Sequence, residues 1–491
     1  MMTDSPNPAV PAGRTSVRAI VGFLVFCELA SGFVQGYYAP LLAAIADHLS
    51  VTDADITWFL TVQTLAAAVF VPLLSKLGDI FGHRRMLRIA VVAVLIGTLV
   101  TALVPNFTVV LIARVLIGPL AVWLPLEIAL VHNRISGDSA RKAIGMLVSF
   151  LTVGAILGTV ASGVVSSVSP SLTVTLLVPC AFVLVSVYAV FFKVPESTTR
   201  ANPHIDVLGF VGLAVAMVAL LGGLRLASTE GFASPVTIGA LGLAFAVFVA
   251  WVIWERRTPA PAVDVRLVAS RALGPIYLTA FLFGMVMFGM QAPMTTFLAA
   301  DPAVTGYGFA ATPGLISAVI AVITLLATVG AATFAYLAKR IGIRAVLLIG
   351  AVLAGAGNFI LAAFHSTLTE VWIASAVMGI GLGLLLGALP ALLAELAPSD
   401  QTGIAAGVYN SLRTLGGAAA GAVFGLVLAL WVAPGGEFAE IGGYVTVWVL
   451  CGLAFVGALV ALAFLRVPDG RGTPAHAPAA DEPAAEASAA V

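Results

Sequence analysis

The sequence predicts an all-α integral membrane protein of about 14 transmembrane helices, built as two pseudo-symmetric six-helix halves with two helices inserted between them. Three observations predict it. First, 61% of the 491 residues are hydrophobic and only 9% charged, with a mean hydropathy of +1.10; a soluble domain is about half apolar and about a quarter charged. Second, apolar runs of about 20 residues recur along the chain, the length a helix needs to cross a hydrocarbon core of about 30 Å. They are too long and continuous for barrel strands, and in lipid the backbone must satisfy its own polar groups. Third, the chain repeats itself. "KLGDIFGHRRML" (Lys76–Leu87) aligns with "YLAKRIGIRAVL" (Tyr336–Leu347) at an offset of 260, and "IGMLVSFLTVG" (Ile144–Gly154) with "AGVYNSLRTLG" (Ala406–Gly416) at nearly the same offset.

The spans read as 18–42, 54–75, 86–105, 107–131, 142–167, 172–193, 206–226, 235–254, 273–298, 312–337, 344–364, 370–394, 402–431 and 442–465. Pro105-Asn106 and Ser169-Pro170 supply turns between helices. An even number of spans puts both ends on one side. With the N-terminus inside, 20 lysines and arginines fall in inner segments and only Arg225 in an outer one, while Arg114 and Arg413 lie within spans. That asymmetry predicts cytoplasmic termini. Arginine far outnumbers lysine and alanine is abundant, which hints at a GC-rich bacterial genome; the plasma (inner) membrane of a bacterium is the expected location. Trp58, Trp251, Trp254 and Trp431 fall near span ends, as an aromatic belt would.

Domain boundaries follow: a cytosolic tail at 1–17, a first half at 18–193, an inserted pair at 206–254, a second half at 273–465, and an Ala/Pro-rich tail at 467–491 expected to be disordered. Parallel repeats with a site at their interface are a transporter plan. Cys27, Cys180 and Cys451 all lie in apolar runs without a CxxC pair, so neither disulfides nor a zinc site are expected. No HExxH, GxSxG, clustered DxxxD or phosphate-binding P-loop occurs, and the six histidines are scattered. A membrane enzyme and an ATP-driven pump are therefore disfavoured; no catalytic residue, metal or cofactor is expected.

At the residue level the chain resembles the major facilitator superfamily, in its fourteen-helix drug:proton antiporter branch. Lys76–Leu87 is similar to the family's loop between helices two and three, G-x-L-a-D-R-x-G-R-R. Asp79, Gly82 and Arg84 are kept; Ser75 stands for the first glycine, Ile80 for an arginine, and His83 for a basic position. "WERRTPAPAVDVRL" before the ninth span and "NSLRTLGGAAAG" in the thirteenth also look like this branch. The resemblance implies proton-coupled efflux of a small hydrophobic compound, drug or antibiotic, by alternating access. Its partners would be that solute, protons and the bilayer, with no nucleic acid, and a monomer is expected. An importer or facilitator is the alternative reading.

In the family the loop latches neighbouring helices in the outward-open state. Asp79, Gly82, His83 and Arg84 are the candidate latch, and cations favour the C-terminal ends of helices. Arg85 and Arg88 suit topology, and His83 could add a charge that varies near neutral pH. Glu28 lies ten residues past Arg18, about 15 Å into the first span, with Ser31, Gly32 and Gln35 on its face. Acids at that depth are functional candidates: burial favours the protonated form and a nearby cation the ionised form, which is what coupling requires. Arg114, matching the arginine of the family pattern R-x-x-q-G with Gly118 kept and Ile117 at the glutamine position, is the natural counter-charge. Glu127, 13 residues on, faces about 220° away on an ideal helix and suits either the latch or a second proton or cation site.

Gln35, Tyr37, Gln63, Gln291, Asn410 and Arg413 are the candidate substrate lining, the last suiting the interface between halves, an anionic group or packing. Gly154, Gly158 and Gly163, with Ser162, form the fifth-span stripe that lets helices approach closely. There the resemblance implies the antiporter motif, although Thr159 replaces its proline.

Overall fold

The computed structural model describes residues 17–132, 137–194, 206–231, 233–259, 261, 265–268, 270, 272–396, 402–433 and 438–465. Within them 14 helices are long and apolar enough to cross a membrane. They are α1 (Val21–Leu49), α2 (Asp53–Phe81), α3 (His83–Leu103), α4 (Phe107–Val131), α5 (Lys142–Val168), α6 (Leu172–Phe192), α7 (Val207–Ala227), α8 (Pro235–Arg257), α9 (Gly274–Ala299), α10 (Pro313–Ile341), α11 (Ile343–Ala363), α12 (Leu368–Leu396), α13 (Ala405–Leu430) and α14 (Ile441–Ala463). The fold class expected from hydropathy is the one found. The tail sequences at 1–16 and 467–491, with Arg14, Arg134, Arg200, Arg271, Arg466 and Arg471, lie outside the described residues.

Helix ends follow local chemistry. The side chains of Thr52, Asn106, Ser171, Asp206 and Thr312 each accept a hydrogen bond from the backbone N–H three residues on, satisfying a donor that the first turn leaves free. Several helices run past their hydropathy limits; α2 continues to Phe81 rather than 75, and its counterpart α10 to Ile341 rather than 337. The last turns of these two carry polar and charged residues beyond the apolar run. Gly82 and Gly342, 260 residues apart, each end one helix and open the next with φ of +110° and +85°, a backbone region that side-chain-bearing residues avoid. Both α1 and α4 are broken by short 3₁₀ turns, at Ala39–Leu41 and Gly118–Val122, each with a proline in its first turn.

The buried side chains form two main cores. One is drawn from α1–α6 with Ala292 of α9; the other from α9–α14 with Ala54 of α2 and with Leu213, Met217 and Trp251 of the α7–α8 pair. The pair itself is pinned by Trp251, whose indole N–H donates to the Gly209 carbonyl at 2.8 Å. Arg225 at the other end of α7 ion-pairs with Asp55 of α2. Most of the circumference of α8 faces outward, with Val236, Ile238, Leu243, Phe245 and Phe248 exposed, a surface suited to lipid.

We call the face where α1 begins and α14 ends the terminal face, and the opposite one the far face. Hydrogen bonds join the two six-helix groups at the far face. Thr295 donates to the Ala39 carbonyl at 3.0 Å, Tyr444 to Asp53 at 2.8 Å, and the Ser162 and Ser317 hydroxyls meet at 3.3 Å. Gly421 and Gly425 of α13 lie against Thr61 and Thr57 of α2 so closely that a Cβ would overlap their hydroxyls. Aromatic rings of Phe297, Tyr307, Tyr444 and Trp448 pack behind this seam. Toward the terminal face, Gly145 of α5 and Gly407 of α13 have open space where a Cβ would stand. The bonds and close contacts that join the two six-helix groups are thus gathered at the far face.

Candidate transport site

The spacing of buried charge sets out the site. Glu28, 11 residues into the helix that begins at Val17, lies about 16 Å from the terminal face. It is fully buried, and so is Glu127. Among the described residues no donor reaches any of the four carboxyl oxygens. The two acids lie within hydrogen-bonding reach of one another, so they can bond only through a proton that one of them carries. Cys27 and Ser186 complete the surroundings.

This pairing corrects the partner expected for Glu28. Arg114 forms no ion pair with it. Its Nε donates to the Phe59 carbonyl at 3.1 Å and its Nη2 bonds to Gln63. Its guanidinium lies 4.0 Å from the Phe59 ring centre and 4.5 Å from that of Tyr38, an aromatic sandwich that holds a cation without neutralising it. The reason is axial. Glu28 meets α4 at the level of Glu127, and Arg114 is 13 residues away, about 22 Å with the 3₁₀ turn included. That turn also explains why Glu127 does not face where an ideal helix would put it. Five residues at about 120° rather than 100° add about 100°, bringing Glu127 back toward Arg114's side of the helix and into the bundle.

Glu127 therefore does not join the turn between α2 and α3. There Asp79 and His83 meet at 3.0 Å. Arg84 donates to the carbonyls of Phe191 at 2.6 Å and Val190 at 3.3 Å, and Arg88 to Phe191 at 2.8 Å. Gly82 supplies the turn, and Gly78 packs on Leu126 and His83. The cations thus close on the C-terminal carbonyls of α6, where a helix dipole favours them. The repeat keeps this bond: Arg344 donates to the Ala463 carbonyl at the end of α14, at 2.8 Å.

The candidate lining residues divide. Tyr37 is buried, its hydroxyl donating to the Thr175 carbonyl at 2.9 Å, and Gln63 is committed to Arg114; both are framework. Gln35, exposed, donates to the Ser31 hydroxyl at 3.2 Å, and Gln291 to the Met287 carbonyl at 3.2 Å. Asn410 is exposed beside Arg413, which lines a cavity of about 130 Å³ between α12 and α13. Sequence reasoning passed over Tyr409 in that wall and Asp53 in the far-face seam. Tyr409 stands four residues before Arg413, a helical spacing that could have shown it.

The glycine stripe finds its partner. A Cβ at Gly154 or Gly158 would overlap the Leu29 or Phe33 carbonyl of α1, and Gly32 and Gly36 of α1 abut Leu151 and Ala155 of α5 in return. Gly163 abuts Ser317 of α10. Thr159, where the family has proline, donates to carbonyls of Ala155 at 2.9 Å and Gly36 at 3.2 Å.

The chain is similar to known proteins over most of its length. The chain is 25% identical to an uncharacterized MFS-type transporter, YwoD, of Bacillus subtilis (strain 168), over 77% of this chain and 83% of that one. It is 26% identical to a triacylglyceride transporter of Mycobacteroides abscessus, over 84% and 82%. It is 24% identical to the tetracenomycin C resistance and export protein of Streptomyces glaucescens, over 79% and 71%. Among solved structures, an auto-inhibited POT family peptide transporter superposes with a TM-score of 0.66 at 14% identity, covering 93% of this chain and 99% of its own. The human organic anion transporter MFSD10 does so at 0.59 and 16%, covering 91% and 100%. These two likenesses show the fold. The sequence profile of the Major Facilitator Superfamily matches residues 24–421, with a second match over 302–490. The chain belongs to the Major Facilitator Superfamily: it is a multi-pass membrane transporter of small molecules and not an enzyme.

Proposed function

We propose that the protein exports a small, largely apolar organic compound in exchange for protons, with Glu28 and Glu127 as the proton-carrying pair. The observation that carries this reading is the pair itself: two fully buried carboxyl groups, side by side, with no other hydrogen-bonding partner. Two like charges in so dry a place repel strongly. The pair therefore holds a proton while closed in and releases it when rocking of the halves admits water. Arg114, locked between α2 and α4, keeps α4 in the register that aims Glu127 at Glu28.

Direction follows from where the two halves are joined and from the charge asymmetry. We place the terminal face in the cytosol of a bacterial cell, because basic residues crowd that side; with the halves joined by hydrogen bonds at the far face, solute enters from the cytosol. The Asp79–His83 pair and Arg84 hold α2, α3 and α6 together as one rocking unit. Relatives described as resistance and export proteins, and as triacylglyceride transporters, support an apolar solute.

The test uses purified protein in liposomes holding a preset pH gradient, a panel of hydrophobic compounds, and a lumenal pH dye. A compound that discharges the gradient with the wild type but not with Glu28→Gln supports coupled export. Compounds crossing while the gradient stays put would make the protein a facilitator and end the role given to Glu28.

A further inference from the structure

We propose that Arg413 and Tyr409 form an anion subsite, and that the solute carries an acidic group on an apolar body. The inference rests on the transport reading above and names the chemistry of what is carried.

Arg413 sits 11 residues after Thr402, where its helix begins, about 16 Å in from the terminal face. A cation at that depth is costly unless something answers its charge. Among the described residues no carboxylate does. Arg413 forms no ion pair among the described residues, and its buried Nε has no hydrogen-bond partner. Its guanidinium lies only near two aromatic faces, 5.8 Å from the Phe288 ring centre and 5.9 Å from that of Tyr409. Glu395, the acid nearest in sequence to the cavity wall on α12, is exposed.

Tyr409 repeats the pattern. Only 2% of it is exposed, and its hydroxyl oxygen lies within reach of the Arg413 guanidinium, while its own proton has no acceptor among the described residues. Buried hydroxyls are otherwise nearly always bonded. Two unanswered donors thus share the wall of one cavity of about 130 Å³, whose other walls include Pro390, Leu393 and Ala406. The guanidinium fork presents parallel N–H groups that match the two oxygens of an anionic group, the tyrosine adds a third donor, and the apolar walls suit the carbon skeleton. Arg413 is held in place from behind: Gly284 of α9, lacking a Cβ, lies directly on its carbonyl oxygen. Arg114 is the contrast, a buried arginine with protein acceptors on two nitrogens.

The ligand chemistry is an oxyanion on an apolar body, and it has two sources: a dissolved organic acid or the head group of an anionic lipid. The experiment measures binding of radiolabelled 1-naphthaleneacetate, and of 1-naphthaleneethanol as its uncharged counterpart, to the full chain in nanodiscs of phosphatidylcholine. The wild type should bind the acid at least tenfold more tightly than the alcohol. Arg413→Gln should abolish that preference, Arg413→Lys should keep part of it, and Tyr409→Phe should weaken acid binding by three- to tenfold with its thermal transition unchanged. Phosphatidylglycerol in the nanodisc that displaces the acid from the wild type assigns the site to lipid head groups; unchanged acid binding assigns it to the solute. Equal binding of acid and alcohol by the wild type, or an acid preference surviving in a folded Arg413→Gln, would overturn the subsite. Binding is read without a pH gradient, so its failure and a failure of proton coupling are told apart.

Discussion

Tyr444 of α14 donates its hydroxyl to the Asp53 carboxylate of α2 at 2.8 Å, and the same oxygen meets the Thr296 hydroxyl at 3.0 Å. One side chain thereby ties the two six-helix groups together at the far face. Asp55, two residues on, ties α2 to the inserted helix α7 through Arg225. The acidic first turn of α2 is the junction of all three bodies.

Replacing Tyr444 by Phe removes the bond across the seam without removing the ring. The expected loss is about 1–2 kcal/mol, a shift of about five- to thirtyfold toward the state open at the far face. Cysteine placed at Ser317, with the three native cysteines replaced by serine, reports it through alkylation by a membrane-impermeant maleimide applied from the far side. An unchanged alkylation rate in Tyr444→Phe would show that the bond does not bias the seam.

Glu28 and Glu127 should behave as one unit. Glu28→Gln and Glu127→Gln should each remove gradient-driven transport, and the double variant should be no worse than either, because groups that share one proton are not additive. Transport rates at a fixed pH gradient for the four proteins give the answer. Losses that multiply would mean two separate sites.

The crossing of α1 and α5 leaves no room for side chains at its glycines. Gly158→Ala drives a methyl group into the Phe33 carbonyl and should cost about 1–3 kcal/mol. Gly145→Ala, on the same helix but facing open space, should change stability by about 0.5 kcal/mol or less. Thermal unfolding of the two variants in one detergent compares them directly; similar melting temperatures would contradict the crossing.

Gly82→Ala and Gly342→Ala should each cost about 1–3 kcal/mol, because both sit at positive φ with ψ of 129° and 149°, a region that side-chain-bearing residues avoid. At Gly342 nothing lies within 4 Å of an added Cβ, so the loss there is free of any clash. An Asn at Gly342 should recover little of it, because ψ of 149° lies outside the left-handed helical well in which Asn is tolerated. Melting temperatures of the Ala and Asn variants, both well below that of the glycine form, test this.

What could be read from the sequence was whatever depends on neighbours in the chain. Span number followed from runs of apolar residues, the turn at Gly82 from its repeat at Gly342, and the depth of Glu28 from counting. The facing of Glu127 could not be read, because it hangs on the 3₁₀ turn at Gly118–Val122, where a proline and tertiary packing alter the residues per turn. Nor could Glu28's partner, since which level of α4 meets α1 is decided by how far each helix overhangs its neighbours. The glycine stripe at Gly154 and Gly158 was legible as a place of close approach, while the identity of the approaching helix was not.

The interlock of α1 with α5 makes a lever. Gly32, Gly36, Gly154 and Gly158 hold the two rods backbone to backbone, so neither can slide or roll without the other, and Gly163 on Ser317 sets their bearing point near the far face. From Gly163 to Gly145 the arm is 18 residues, about 27 Å. Tilting it by about 10° sweeps its free end through about 5 Å while the bearing barely moves. Glu28 rides on this arm, so the acid's burial and the width of the terminal opening change together as two readings of a single angle.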